Sequence, residues 1–233
     1  MNLDLSQFFT EYESLVAQVD AVFKKVSDNF SAEVRCKEGC SDCCHALFDL
    51  TLIEAMYLNA KFSELDEIRR NEVLVEADKA DRKAYVLKKK ISKEAEETDH
   101  SEILLRTAKE RIRCPLLGPD DSCQLYAHRP ITCRIYGVPL EIGGRSHTCG
   151  LSGFEPGRPY PAVKLERIQD MLLSLSNRVL DAVGSRYADF RLMHVPVSTA
   201  LMTVYSDEFF GVAEPSPQTP SDPKAPEAGG NDA

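Results

Sequence analysis

Eight cysteines in two groups of four constrain this chain more than any other feature. The first group is compact: Cys36, Cys40, Cys43 and Cys44 lie in Cys36-Lys-Glu-Gly-Cys40-Ser-Asp-Cys43-Cys44. The second is spread out over Cys114, Cys123, Cys133 and Cys149, and positions 45–113 between the groups hold no cysteine. Core packing does not call for so many thiols in so short a stretch. Soft thiolates at such spacings are what zinc and iron–sulfur clusters use as ligands. All eight are therefore candidate metal ligands.

The spacing also bears on the kind of site. Structural zinc fingers pair two short Cys-x2-4-Cys units. The first group fits that loosely, and the second does not, because its gaps suit ligands drawn from separate loops. A cluster accepts thiolates from several directions, so an iron–sulfur centre, of the four-iron kind, leads and zinc stays open. The pair Cys43-Cys44 adds a constraint. Neighbouring side chains point in different directions, so one metal atom rarely takes both, and Cys44 serves a second metal or none. Eight thiols exceed one tetrahedral site, which leaves one centre with spare thiols or two centres. His45, His128 and His147 are near cysteines in sequence but stay outside the main ligand set.

The net charge of −9 argues against a general nucleic-acid binder, which would show a basic face. No segment has the roughly 18 apolar residues of a spanning helix. The first twenty residues carry Asp4, Glu11, Glu13 and Asp20 and no apolar run of the signal-peptide kind. A cytoplasmic protein is the expectation. In that compartment thiols stay reduced, so the even cysteine count is not read as four disulfides.

Periodicity places the surrounding elements. Phe8, Tyr12, Leu15, Val19, Val22 and Val26 recur at helical steps and predict a helix over 4–30. Thr51-Leu-Ile-Glu54 has the form of a capping box and opens a helix to about Phe62, with Ser63-Glu-Leu-Asp66 a weaker start signal. The charged stretch 64–112 reads as a long, partly exposed helix broken near Thr98–Ser101. Gly118-Pro119-Asp120-Asp121 marks a turn between Cys114 and Cys123. Pro130 begins a short helix that carries Cys133. A short strand is expected over Val138–Ile142, ended by Gly143-Gly144. Ile168, Leu172, Leu175, Val179 and Val183 predict a helix over 162–184, and a last short helix is expected from Ser198. The segment 114–149 reads as poor in core residues of its own. The proline-rich 213–233 reads as a disordered tail.

The fold expected is mainly α, a helical domain with small β and loop elements around a cysteine-ligated metal site. Its parts are an N-terminal helix (1–30), a cysteine-cluster domain (31–155), a helical extension (156–212) and the tail (213–233). Arg134 is expected beside the thiolates, with Tyr126 and Tyr136 packed over them.

Several of these residues together resemble a known family. The pattern Cys36…Cys40…Cys43-Cys44, Leu50-Thr51-Leu-Ile-Glu54, Cys114-Pro-Leu-Leu, Cys123-x-x-Tyr126, Arg129-Pro130 and Cys133-Arg134-x-Tyr136-Gly137 resembles the YkgJ-type cysteine-cluster proteins over about 30–150. That resemblance implies a zinc- or iron-chelating domain and little about a reaction. The flagellin lysine-N-methylases look distantly related through the same cysteines, which keeps an enzyme acting on a protein or small molecule as the alternative. No glycine-rich nucleotide loop supports methyl transfer here. Cys36-x3-Cys40-x2-Cys43 also has radical-SAM spacing, but Asp42 stands where an aromatic is usual, and no run of alternating strands and helices follows. A zinc-stabilised interaction module is the third reading, and a protein partner is left unspecified.

Overall fold

The computed structural model describes residues 4–95 and 110–212. The expected helix break near Thr98–Ser101 and the tail 213–233 lie outside the described residues. The fold is mainly helical with small sheets. Helix α1 spans Ser6–Asn29, α2 Leu52–Ser63, α3 Glu67–Ala95, α4 Ile131–Ile135, α5 Leu165–Val183, α6 Val197–Met202 and α7 Asp207–Phe210. Among the described residues five short strands join them: β1 Asp49–Thr51, β2 Leu140–Ile142, β3 Arg145–His147, β4 Val163–Lys164 and β5 His194–Pro196.

Helix α2 is the centre of the molecule. Leu52, Ile53, Ala55, Met56, Tyr57, Leu58 and Phe62 are all buried, so apolar side chains leave it in nearly every direction. A helix apolar all round must be enclosed, and α1, α5 and α6 enclose it. Its start is the expected capping box of Thr51 and Glu54. Glu54 is itself buried and also accepts the backbone N–H of Ile131 at 3.1 Å, which ties α2 to the start of α4. A second side chain stitches α2 to α5: the Ile53 N–H donates to the Ser176 hydroxyl at 3.1 Å.

Helix α5 follows its apolar period closely. Ile168, Leu172, Leu175, Val179 and Val183 are buried, and each such side chain contributes about 1.5–3 kcal/mol by leaving water. The helix stops at Gly184, whose φ of +69° suits a residue without a Cβ. Along α1, Tyr12, Leu15, Val19 and Val26 are buried as the stripe requires, but Val22 is 43% exposed. It sits at the edge of the stripe, beside an open groove that it shares with Arg167, Ile168 and Met171 of α5. Helix α3 starts one turn later than Ser63 suggested: Asp66 accepts the Arg69 N–H at 3.0 Å and so acts as the cap. Its buried face is Val73, Ala77, Ala80 and Ala84, small residues at three- and four-residue steps that let α6 approach.

Two sheets hold the ends together. Strand β1 pairs antiparallel with β5, with Leu50 opposite Val195. Strand β2 is the middle of β3-β2-β4, antiparallel to β3 and parallel to β4. The hairpin β2–β3 turns on Gly143 and Gly144, both at positive φ, as a two-residue hairpin loop demands. The segment 114–149 is richer in core than its sequence suggested. Leu116, Leu117, Leu125, Ile131, Ile135, Val138 and Leu140 are all buried, delivered by several separate loops and short elements.

Candidate metal centre

The two cysteine groups converge. Cys43 and Cys44 sit on a 3-10 turn, Asp42–His45, and a short stretch of backbone pairing joins that turn to the second group. The Cys114 N–H donates to the Cys44 carbonyl at 2.6 Å and the Ile112 N–H to the His45 carbonyl at 3.0 Å. Cys123 is set opposite Leu117 by an antiparallel bridge, with the turn closed by the Gly118 N–H on the Ser122 carbonyl. Cys133 is carried on α4, as Pro130 implied. Cys149 is brought back by the Gly153 N–H on the Glu33 carbonyl at 2.7 Å, which lays the loop after β3 beside the first group.

The eight thiols line two adjoining cavities. The larger, about 60 Å³, is walled by Cys43, Cys44, Cys114, Cys123 and Cys133, and most of the rest of its wall is apolar, including Phe48, Ala80, Ala84 and Leu116. The smaller, about 20 Å³, is walled by Cys36, Cys40, Cys43 and Cys149, with Asp42 and Tyr136. Cys43 alone among the cysteines faces both. Each thiol is free. Among the described residues no three Cys, His, Asp or Glu side chains close on one point as a finished metal site.

The donor set nonetheless fits a thiophilic metal on three counts. First, backbone N–H groups already point at sulfur. The Leu151 N–H lies 3.4 Å from the Cys149 Sγ, and the N–H groups of Leu116 and Leu125 are directed at the sulfurs of Cys114 and Cys123. Such bonds stabilise thiolate and tune a cluster. They arise from a Cys-x-Leu pattern that recurs at Cys114, Cys123 and Cys149, a signal in the sequence that spacing alone misses. Second, the chain makes room for sulfur. A methyl group on Gly137 would sit 2.2 Å from the Cys36 Cβ and 3.0 Å from its Sγ. Third, burial sets the state of most of these thiols more than any neighbouring charge does. Burial pushes Cys114 up to about 12, and burial with the Asp42 carboxylate pushes Cys149 up to about 11. Cys43 goes the other way, lowered to about 3, because the thiols of Cys133 and Cys44 both hydrogen-bond to it. Cys133 and Cys44 are raised as the donors of those bonds.

Two arginines line the larger cavity: the charge of Arg129 favours the ionised forms of Cys36, Cys43 and Cys123, and that of Arg113 the ionised form of Cys114. The Arg129 guanidinium lies 3.7 Å from the centre of the Tyr126 ring and donates to the Tyr126 carbonyl. Arg134 does not take the role expected of it. It pairs with Asp20 of α1 at 2.7 Å and donates to the carbonyls of Arg129 and Ala127. It pins the loop before α4 to α1, and its partner Asp20 is too distant in sequence to be guessed. Tyr136 does line the smaller cavity, where it also bonds Arg111, the residue paired with Asp42. None of the three histidines lines either cavity. His45 Nδ1 meets the Ser41 carbonyl, His128 Nδ1 meets the Tyr57 hydroxyl, and His147 is exposed on β3.

A helical scaffold that presents eight free thiols from loops, a 3-10 turn and one short helix defines a cysteine-based chelating protein. The family comparison is more specific. Residues 35–150 match the CxxCxxCC model, described as "Putative zinc- or iron-chelating domain", and the chain belongs to this YkgJ-type family. No curated protein and no solved structure gives a match.

Proposed function

We propose that this is a cytoplasmic metal-binding protein whose cysteines hold an iron–sulfur cluster. The observation that carries the reading is the larger cavity. One water-sized sphere needs about 10–15 Å³ of such space, so about 60 Å³ accommodates several atoms at once. A single zinc ion, about 2.3 Å from each of four sulfurs, would leave no such room. The apolar remainder of the wall would keep water from the cluster, and the N–H groups of Leu116 and Leu125 would steady its sulfurs. When bound, the cluster would supply one-electron chemistry. The chain's own contribution is to position thiolates, exclude water and set Arg129 against their charge.

No helix among the described residues is long and apolar enough to cross a membrane. A cytoplasmic setting, where thiols stay reduced, supports the reading. The net charge of −9 gives no support to general nucleic-acid binding, and a protein partner is the expected recipient of whatever the cluster delivers.

Anaerobic purification followed by iron, sulfide and zinc analysis tests the proposal. Iron and acid-labile sulfide in near-equal amounts, with a thiolate-to-iron absorption band at roughly 400 nm, are expected. Zinc without sulfide would refute it and leave a zinc-stabilised interaction module.

A further inference from the structure

We propose that the eight thiols form two independent centres with different occupants. The inner centre, on Cys44, Cys114, Cys123 and Cys133, takes the iron–sulfur cluster. The outer centre, on Cys36, Cys40, Cys43 and Cys149, takes a single divalent ion. The inner half rests on the function proposed above, and the outer half does not.

Three observations divide the ligands. The cavities share only one cysteine, Cys43, so seven thiols are already assigned by position. The donor count assigns the eighth. Four thiols remain for the inner centre without Cys43, whereas the outer has three and needs a fourth for a tetrahedral shell. Asp42 is the other candidate for that place, since it lines the outer cavity and accepts the Cys149 thiol at 3.1 Å. Its charge is already taken by Arg111, which donates to both its carboxylate and its backbone carbonyl.

The turn carrying Cys43 and Cys44 supplies the geometric reason. Residues of a 3-10 helix follow one another at about 120°, so the two neighbours leave the backbone in different directions although their sulfurs still touch. The adjacency that argues against a single centre becomes the partition wall between two. Cys43 lines both cavities and accepts from the Cys44 and Cys133 thiols, so it stands at the seam between them, and Cys44 is fixed on the inner side by the Cys114 N–H on its carbonyl.

Size divides the occupants. The outer cavity, about 20 Å³, is room for one water-sized sphere, against several in the inner. Gly137 is the outer wall that lets Cys36 close to this volume. Four thiolates on one zinc or ferrous ion need no more space than that, whereas a cluster would force the wall apart.

The test uses the full chain, purified anaerobically, freed of loosely held metal with a mild chelator and titrated with Co2+. The unaltered protein should bind about one cobalt per chain with the ligand-field bands of tetrahedral thiolate coordination, while iron and sulfide stay constant. Cys149→Ser should lose the cobalt bands and keep iron and sulfide. Cys114→Ser should lose iron and sulfide and keep the cobalt bands. Cys40→Ser and Cys123→Ser repeat the comparison on a second pair, and the far-ultraviolet helix signal shows that the compared chains are folded. If folded variants of either pair lose both signals together, the thiols form one shared centre and the partition is wrong. A chain with two zinc ions and no sulfide, each variant losing one zinc, would sink the iron–sulfur reading and uphold the partition.

Discussion

Glu54→Ala should be among the most damaging single changes in the molecule. Its carboxylate is 2% exposed and accepts three hydrogen bonds, from the Thr51 N–H at 3.1 Å, the Thr51 hydroxyl at 3.0 Å and the Ile131 N–H at 3.1 Å. Thr51 and Ile131 are themselves buried, so water cannot replace the lost acceptor. Each orphaned buried N–H costs about 1–3 kcal/mol, and two of them give a loss of about 4 kcal/mol. For a chain of this size that is a fall in Tm of roughly 8–16 °C, at about 2–4 °C per kcal/mol. Glu54→Gln keeps the shape but turns one acceptor into a donor, and should lose about half as much. Burial raises the Glu54 pKa against the pull of those same N–H groups. A raised folded-state pKa stabilises the native chain most below the unfolded carboxylate range, and that contribution fades as pH rises through the folded value. The gap between wild type and Glu54→Gln should therefore narrow toward higher pH. Thermal and urea unfolding followed by circular dichroism, with metal removed from all proteins so that ligand release is not counted, measures each quantity. A Glu54→Ala protein within about 0.5 kcal/mol of wild type would show that the N–H groups find other partners, and the reasoning would fail.

Arg129→Ala should lower metal retained per chain after gel filtration, because it removes the cation that faces Cys36, Cys43 and Cys123. Arg134→Ala should instead cost about 2 kcal/mol of stability through its lost charged hydrogen bonds and leave metal content unchanged; the reverse pattern would restore Arg134 to the site. Gly137→Ala should displace Cys36, since the added methyl meets its Cβ at 2.2 Å, and overpacking of this kind costs about 1–3 kcal/mol. Metal analysis showing a full complement in the folded variant would count against a tight outer site. Stripping metal under reducing conditions should open 36–45 and 114–123 to protease while 131–140 stays protected, because Ile131, Ile135, Val138 and Leu140 pack in the main core whether or not metal is present; cleavage mapped by mass spectrometry within 131–140 would contradict this.

The helices were legible because each carries a pattern that physics reads locally. The stripe Ile168, Leu172, Leu175, Val179, Val183 and the following Gly184 state both the buried face and the end of α5. Thr51 and Glu54 state the start of α2 in four residues. What stayed hidden depends on partners far away in sequence. Strand β3 is Arg145-Ser146-His147, exposed at every position, and only its pairing with β2 makes it a strand. The core residues of 114–149 follow no single period, because they are spread over several turns and short elements, so the segment reads as thin when it is not. At the site, spacing singled out the eight thiols as candidates but not which of them line the same cavity. The grouping follows from Cys114 pairing with the backbone of Cys44 and from Gly153 with Glu33, contacts that no local rule predicts.

This separation between scaffold and site also bears on how metal and fold are linked. In small metal-dependent domains the ligand supplies the missing core, and binding energy is folding energy. Here α1, α2, α4 and α5 share a continuous core containing Tyr12, Ile53, Ile135 and Leu172, and no cysteine belongs to it. Backbone hydrogen bonds hold the two cysteine groups side by side, and the thiols of Cys133 and Cys149 add contacts to Cys43 and Asp42. Free thiols of this kind start close to their final places, so metal binding need order only side chains and short loops. A preformed set of donors binds more tightly for the same contacts, because less freedom is lost on closure. The same arrangement leaves the loops free to yield when metal departs without unfolding the helices. On the function proposed above, loading and release would cycle on a standing scaffold.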